Sequence, residues 1–147
     1  MKTIISAFLW AVFSIFVHAQ SRFDKAQKDA ADHHKLIVLN FSGSDWCVPC
    51  IKLHKNIIDT ESFKQLSTDN MINYINADFP RNKKNQLSPE MKKENALLAD
   101  QYNAKGLFPY TLLLDSQGKI LKTWEGLPAE NASAFCKEIK DIYQQKK

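Results

Sequence analysis

Cysteine is scarce in this chain of 147 residues: there are three, which cannot all pair within one molecule. A structural disulfide framework is thereby excluded. Charge of one sign is scarce too, since a formal net charge of +4 falls short of the basic excess that nucleic-acid binding calls for. No internal repeat recurs, and no composition break separates a second domain. The long apolar run from Ile4 to Val17 is too short to cross a bilayer comfortably, follows Lys2, and ends at Val17-His18-Ala19 with a small residue at a cleavage-like position. Residues 1–19 therefore read as a signal peptide cut after Ala19, with an uncleaved membrane anchor as the second reading. Residues 20–147 then form one domain exported to an oxidising compartment. No cysteine follows Ala19, so nothing supports a lipid anchor there.

Against this background one stretch carries chemistry, Phe41 to Leu53, FSGSDWCVPCIKL. Cys47 and Cys50 stand where Leu36 to Phe41 (LIVLNF), a branched apolar run typical of a strand buried on both faces, gives way to a helical pattern. Pro49 suits a first helical turn, and Ile51, Leu53, Ile57 and Ile58 carry an apolar face to about Asp59. The first N–H groups of a helix are unpaired and its dipole is positive there, so a thiolate is stabilised and its pKa falls below the ordinary value of about 8.5. A second thiol nearby can close a disulfide. A two-residue loop constrains little of the unfolded chain, so the pair reads as reactive rather than structural.

The remaining patterns predict a helix over Arg22 to His34, and a short helix or a continuation of the preceding one over Thr60 to Ser67. They predict a strand over Met71 to Ala77 and a helix from the Ser88 cap to Tyr102, with Met91, Leu98 and Tyr102 inward. Tyr110 to Asp115 and Ile120 to Trp124 form an antiparallel hairpin, and Ala129 to Gln145 closes the chain with a helix. The order α-β-α-β-α-β-β-α gives an α/β fold, a small mixed central sheet flanked by helices on both faces.

Trp46-Cys47-Val48-Pro49-Cys50 between strand and helix, together with Phe108-Pro109-Tyr110-Thr111 at a later strand start, resembles the thioredoxin superfamily over nearly all of the mature chain. Within it, FSGSDWC and YINADFP are similar to exported bacterial thioredoxin-like proteins. The resemblance implies a protein thiol-disulfide oxidoreductase without a cofactor, acting on protein thiols or disulfides. Cys47 would be the exposed nucleophile and Cys50 the buried resolving thiol. Trp46 would shield the pair. Pro109 would match the family's cis-proline, setting the Phe108 backbone beside the site to pair with an extended substrate. Val48 and Pro49 would tune the potential. A proline before the second cysteine resembles reducing members, so a periplasmic reductase recharged by a membrane electron donor is expected. No dimerisation segment announces itself, which favours a monomer over a disulfide isomerase.

Three departures from the family qualify this. Its buried aspartate and accompanying lysine fall on Asn40 and Tyr74, so the proton of Cys50 must leave through water or through Asp45 or Asp78. The family's N-terminal strand has no room after Ala19 and should be reduced or absent. The segment Asp78 to Asn95 is longer than a minimal member needs and should emerge near Cys47. Arg81, Lys83 and Lys84 in it read first as solvated charge and second as a lip for anionic partners. A rival reading from another class makes Cys47, Cys50 and His54 a copper or zinc carrier. On a helix, closing that set would turn Cys47 inward, so His54 reads as a surface residue and no metal site is assigned. Cys136, within an apolar helical stripe, reads as core.

Overall fold

The computed structural model describes residues 20–146, and the signal-peptide assignment to residues 1–19 lies outside them. Among the described residues the first element is α1, Arg22–His33, with no strand before it. Its start is set by a reciprocal cap: Asp24 N–H donates to Ser21 Oγ at 3.0 Å and Ser21 N–H to the Asp24 carboxylate at 3.1 Å. The chain then forms β1 (Leu36–Ser42), α2 (Val48–Leu53), a π-helical turn over His54–Ile58 and α3 (Glu61–Thr68). After these come β2 (Ile72–Asp78), a 3₁₀ turn over Lys83–Asn85, α4 (Pro89–Tyr102), β3 (Tyr110–Leu114), β4 (Ile120–Glu125) and α5 (Ala132–Lys146). Thr60 decides that α3 is a separate helix, because its Oγ1 accepts Phe63 N–H and caps a new start.

The four strands lie in the order β2-β1-β3-β4, β1 parallel to β2 and antiparallel to β3, with β3 antiparallel to β4. Every residue of β1 is buried, Asn40 and Ser42 included, as its predominantly apolar run predicts for the middle of a covered sheet. Alternate side chains feed two cores. On one face Leu36 and Val38 pack with Leu53, Ile57, Phe63, Leu66, Phe135 and Ile139 from α2, the π turn, α3 and α5. On the other, Ile37, Leu39 and Phe41 pack with Phe23, Ala30 and Leu98 from α1 and α4. This three-layer arrangement holds the C-terminal end of β1, and so the start of α2, between two fixed helical layers.

Three expectations about single residues are corrected. Ile51 does not belong to the inner face of α2 but is 46% exposed, because the face of this short helix turns Cys50 and Leu53 inward instead. On α4 Leu98 and Tyr102 face inward as expected, Tyr102 with its ring centroid 5.7 Å from that of Phe23, but Met91 is only half-buried and Asn95 joins Leu98 as the buried pair. Asn95 is buried because it joins three elements: its amide N–H donates to Asp78 O at 2.8 Å, and its carbonyl accepts from Arg22 Nη2 at 2.7 Å. Finally, α5 begins at Ala132 rather than Ala129, since Asn131 Oδ1 accepts Ala134 N–H at 3.0 Å and caps the helix there.

Candidate redox site

Cys47 is the N-cap of α2 and is joined to Cys50 by a disulfide, with their Cα atoms 5.2 Å apart. Cys50 N–H points at Cys47 Sγ from 3.3 Å. That first-turn donor is the group able to stabilise a thiolate at Cys47 once the disulfide opens. The position is locked from behind: Cys47 N–H donates to Gly43 O at 2.9 Å and Ile51 N–H to Cys47 O at 3.1 Å. Both sulfur residues are buried in the oxidised state, Cys50 fully and Cys47 to 5% exposure. The exposed nucleophile expected from the sequence is therefore corrected for this state: Cys47 is the more accessible of the two by a narrow margin, because Sγ is turned toward Cys50. Around it the accessible surface is apolar, with Val48 60% and Ile51 46% exposed and Pro49 exposed between them.

The second half of the site comes from the segment before β3, where the Phe108–Pro109 peptide bond is cis. Asn103 organises the approach, exchanging two 2.9 Å hydrogen bonds with the backbone of Leu107. Trp46, Phe79 and Phe108 form one aromatic wall: Trp46 and Phe108 meet edge to face with centroids 5.4 Å apart, and Phe79 and Phe108 at 5.6 Å. Trp46 Nε1 donates to Phe79 O at 2.7 Å, which fixes the indole against the loop that follows β2. Gly43 makes this possible, since a Cβ there would lie 2.3 Å from the indole.

The residues standing in for the family's charge pair, Asn40 and Tyr74, lie on the adjacent strands β1 and β2. Asn40 pairs across the sheet with Asn76, not Tyr74, which faces Val38. Asn40 Nδ2 donates to Asn76 Oδ1 at 3.1 Å and its Oδ1 accepts from Thr111 Oγ1 at 3.0 Å, so the buried amide is satisfied by neutral partners. Tyr74 Oη is buried without a hydrogen-bond partner, and burial pushes its phenol far above the ordinary range. His54 is likewise not a surface residue: it is half-buried, with Nε2 enclosed and unpartnered and Nδ1 3.9 Å from the Asp59 carboxylate. Among the described residues no three of His, Cys, Asp and Glu are grouped as a metal would need.

Asp45 and Asp78, the two carboxylates considered for the proton of Cys50, are both committed to loops. Asp78 accepts from Ser44 N–H at 2.9 Å, Ser44 Oγ at 2.6 Å and Ser42 Oγ at 3.3 Å. Asp45 accepts from Arg81 N–H and Asn82 N–H at 2.8 Å each and from Asn85 Nδ2 at 3.0 Å. The Arg81 N–H bond leads the effects that hold the Asp45 carboxyl below its usual range.

Sequence reasoning missed Gly43, Asn76, Asn95 and Asn103. The glycine of FSGSDWC is the only one of the four that left a signal, as a small residue directly before an aromatic and the motif.

Two sulfurs joined at the first turn of a helix can take up two electrons and release them again, and the sheet that carries them has the order and crossover of the thioredoxin fold. By fold and site the protein is a thiol-disulfide oxidoreductase. It belongs to the thioredoxin-like domain family, whose profile matches residues 23–143. It is 31% identical over 118 residues to the disulfide bond reductase DsbH of Chlamydia pneumoniae, which covers 80% of this chain and 68% of that protein. The solved structure of a DsbH oxidoreductase superposes with a TM-score of 0.70 at 26% identity, covering 97% of this chain and 95% of the other. A thioredoxin from Thermus thermophilus shares the fold at 15% identity, with a TM-score of 0.54 over 80% of this chain and 81% of its own.

Proposed function

We propose that the protein is a periplasmic, monomeric disulfide reductase in which Cys47 is the nucleophile and Cys50 the resolving thiol. The observation that carries the assignment is the placement of Cys47 Sγ as the helix cap facing Cys50 N–H, while Cys50 is fully enclosed. In the reduced protein the Cys47 thiolate attacks one sulfur of a substrate disulfide. A Cys47-substrate disulfide forms and one substrate thiolate leaves. Cys50 then gives up its proton and attacks Cys47 Sγ, which closes the Cys47–Cys50 bond and expels the second substrate thiolate. Two electrons pass from the dithiol to the substrate, and the two leaving thiolates take up protons. With Asp45 and Asp78 committed elsewhere and Asn40 unable to titrate, water carries the Cys50 proton. A membrane-bound dithiol donor restores the reduced state by the reverse exchange.

The substrate is a protein disulfide presented as an extended segment over the apolar surface of Val48, Pro49 and Ile51, between Trp46 and the Phe108-Pro109 backbone. The reducing direction is supported by Pro49 before Cys50 and by the reductase named among the relatives. Export is supported by the signal-like residues 1–19. The test is to express the full chain carrying Cys50→Ser, which traps the mixed disulfide on Cys47, and to identify the adducts. Protein adducts that vanish in Cys47→Ser are expected. Recovery of none, while the Cys50→Ser protein instead retains copper or zinc, would overturn the redox reading in favour of a metal carrier. Equilibration with glutathione then reads direction, a potential well below about −200 mV marking a reductase.

A further inference from the structure

Against Trp46, the residue before Cys47, lies a cleft of about 490 Å³. Its floor is apolar, made by Trp46, Phe79, Phe108 and Leu87, and its rim carries Arg81 and Lys92. Arg81 lies flat on Trp46, with Cζ 3.8 Å from the ring centroid. A guanidinium stacked this way keeps its N–H edge open to a carboxylate. Neither Arg81 nor Lys92 has a carboxylate partner among the described residues, although both are exposed. Asp78 also lines the cleft, but neither it nor Asp45 forms an ion pair with Arg81 or Lys92; their oxygens accept instead from Ser44 and from the Arg81 and Asn82 backbone.

The loop that builds this rim is ordered by its own residues. Asp45 holds the backbone at Arg81 and Asn82, Gln86 Nε2 donates to Pro80 O and Asn82 O at 3.1 Å each, and Asn82 Oδ1 accepts Lys84 N–H at 3.0 Å. A merely solvated charged loop has no need of such ties, each of which fixes chain that would otherwise keep its conformational freedom.

We propose that this cleft selects the substrate: it takes an extended segment whose cysteine is flanked by an acidic side chain, with the chain over the aromatic floor and the carboxylate between Arg81 and Lys92. Charge complementarity commits the site to an acidic peptide segment. Lys83 and Lys84, exposed on the 3₁₀ turn next to the rim, reinforce the field without lining the cleft. The inference rests on the reductase reading and deepens it. No electron-transfer step is added, since the two electrons still come from the Cys47–Cys50 dithiol and end as two substrate thiols.

The test uses pre-reduced protein and three disulfides: two peptides alike except for an Asp or a Lys beside the cysteine, and the small neutral hydroxyethyl disulfide. The expected kcat/KM ratio of Asp to Lys peptide is about tenfold at low salt, falling as ionic strength rises. The Arg81→Gln, Lys92→Gln double variant brings the ratio near one, whereas Lys119→Gln, on the β3–β4 turn, keeps the wild-type ratio. A wild-type ratio near one, or a ratio that survives the double variant, overturns the cleft. Failure of reduced wild-type protein to turn over even the neutral disulfide would instead strike the oxidoreductase reading, so the two failures are distinct.

Discussion

Gly43 has no room for a methyl group: a Cβ would sit 2.3 Å from Trp46 Cε2 and 2.6 Å from its Nε1. In Gly43→Ala either the backbone between β1 and α2 shifts or the indole leaves Phe108 and the Phe79 carbonyl. Overpacking of this kind costs about 1–3 kcal/mol. If the indole shifts by about an ångström, kcat/KM on a peptide disulfide falls by as much as about 100-fold. Melting and turnover measured together, with tryptophan fluorescence as the reporter, check this; unchanged turnover would show that the Trp46 position does not matter. The contrast with the cysteines explains what single residues reveal. Cys47, Cys50 and Trp46 were legible because their chemistry is specific and their spacing local. Gly43, Asn95 and Asn103 were not, because each owes its importance to a partner brought near by the fold, and small or amide side chains are common for unrelated reasons.

Helices and strands were read well where composition forces them, as in the buried run of β1 and the Ser88-Pro89 start of α4, whose Ser88 Oγ accepts Met91 N–H at 3.2 Å. The π turn over His54–Ile58 left no mark, because a changed hydrogen-bond step needs no change of residue type. The loop after β2 was legible as an insertion near Cys47 but not as an ordered one, since its order depends on Asp45, more than 30 residues earlier in the chain. That dependence predicts a pH response. Asp45 is held below its ordinary carboxylate range, with the Arg81 N–H bond foremost, so ionised Asp45 favours the ordered loop. The stabilisation is complete above the ordinary carboxyl value of 3.8 and is lost as pH falls through the lowered folded-state value. Hydrogen exchange at the Arg81 and Asn82 amides, normalised to intrinsic rates, should show protection that disappears in acid. Asp45→Asn replaces one acceptor oxygen with an NH₂ facing a donor, and should remove that protection at every pH while leaving the melting temperature nearly unchanged. Equal protection in the variant would mean that the loop is ordered by something other than this carboxylate.

At the scale of the molecule, the disulfide lies at one end of the sheet while α5 seals one face far along the chain. The connection lengths made the layer order legible, since the crossover from β1 to β2 and the tight β3–β4 turn leave few arrangements open. How tightly α5 seals depends on Phe135, fully buried against Trp124 at a centroid distance of 4.5 Å and against Phe63 at 6.3 Å. Its neighbour Cys136 is buried and reduced, and burial raises its thiol pKa. In the oxidised protein the other two cysteines are joined, so Cys136 is the one thiol available to an alkylating reagent. Labelling should be slow in the native state and governed by the population of opened molecules. Phe135→Ala removes a buried ring at a cost of about 3–5 kcal/mol, which corresponds to labelling faster by about 100-fold to several thousand-fold. The same protein, while folded, should still reduce hydroxyethyl disulfide after pre-reduction, because neither Phe135 nor α5 contributes a side chain to the redox site. If Cys136 were labelled quickly in the wild type and no faster in Phe135→Ala, it would be exposed by local motion of α5 rather than by unfolding of the whole molecule.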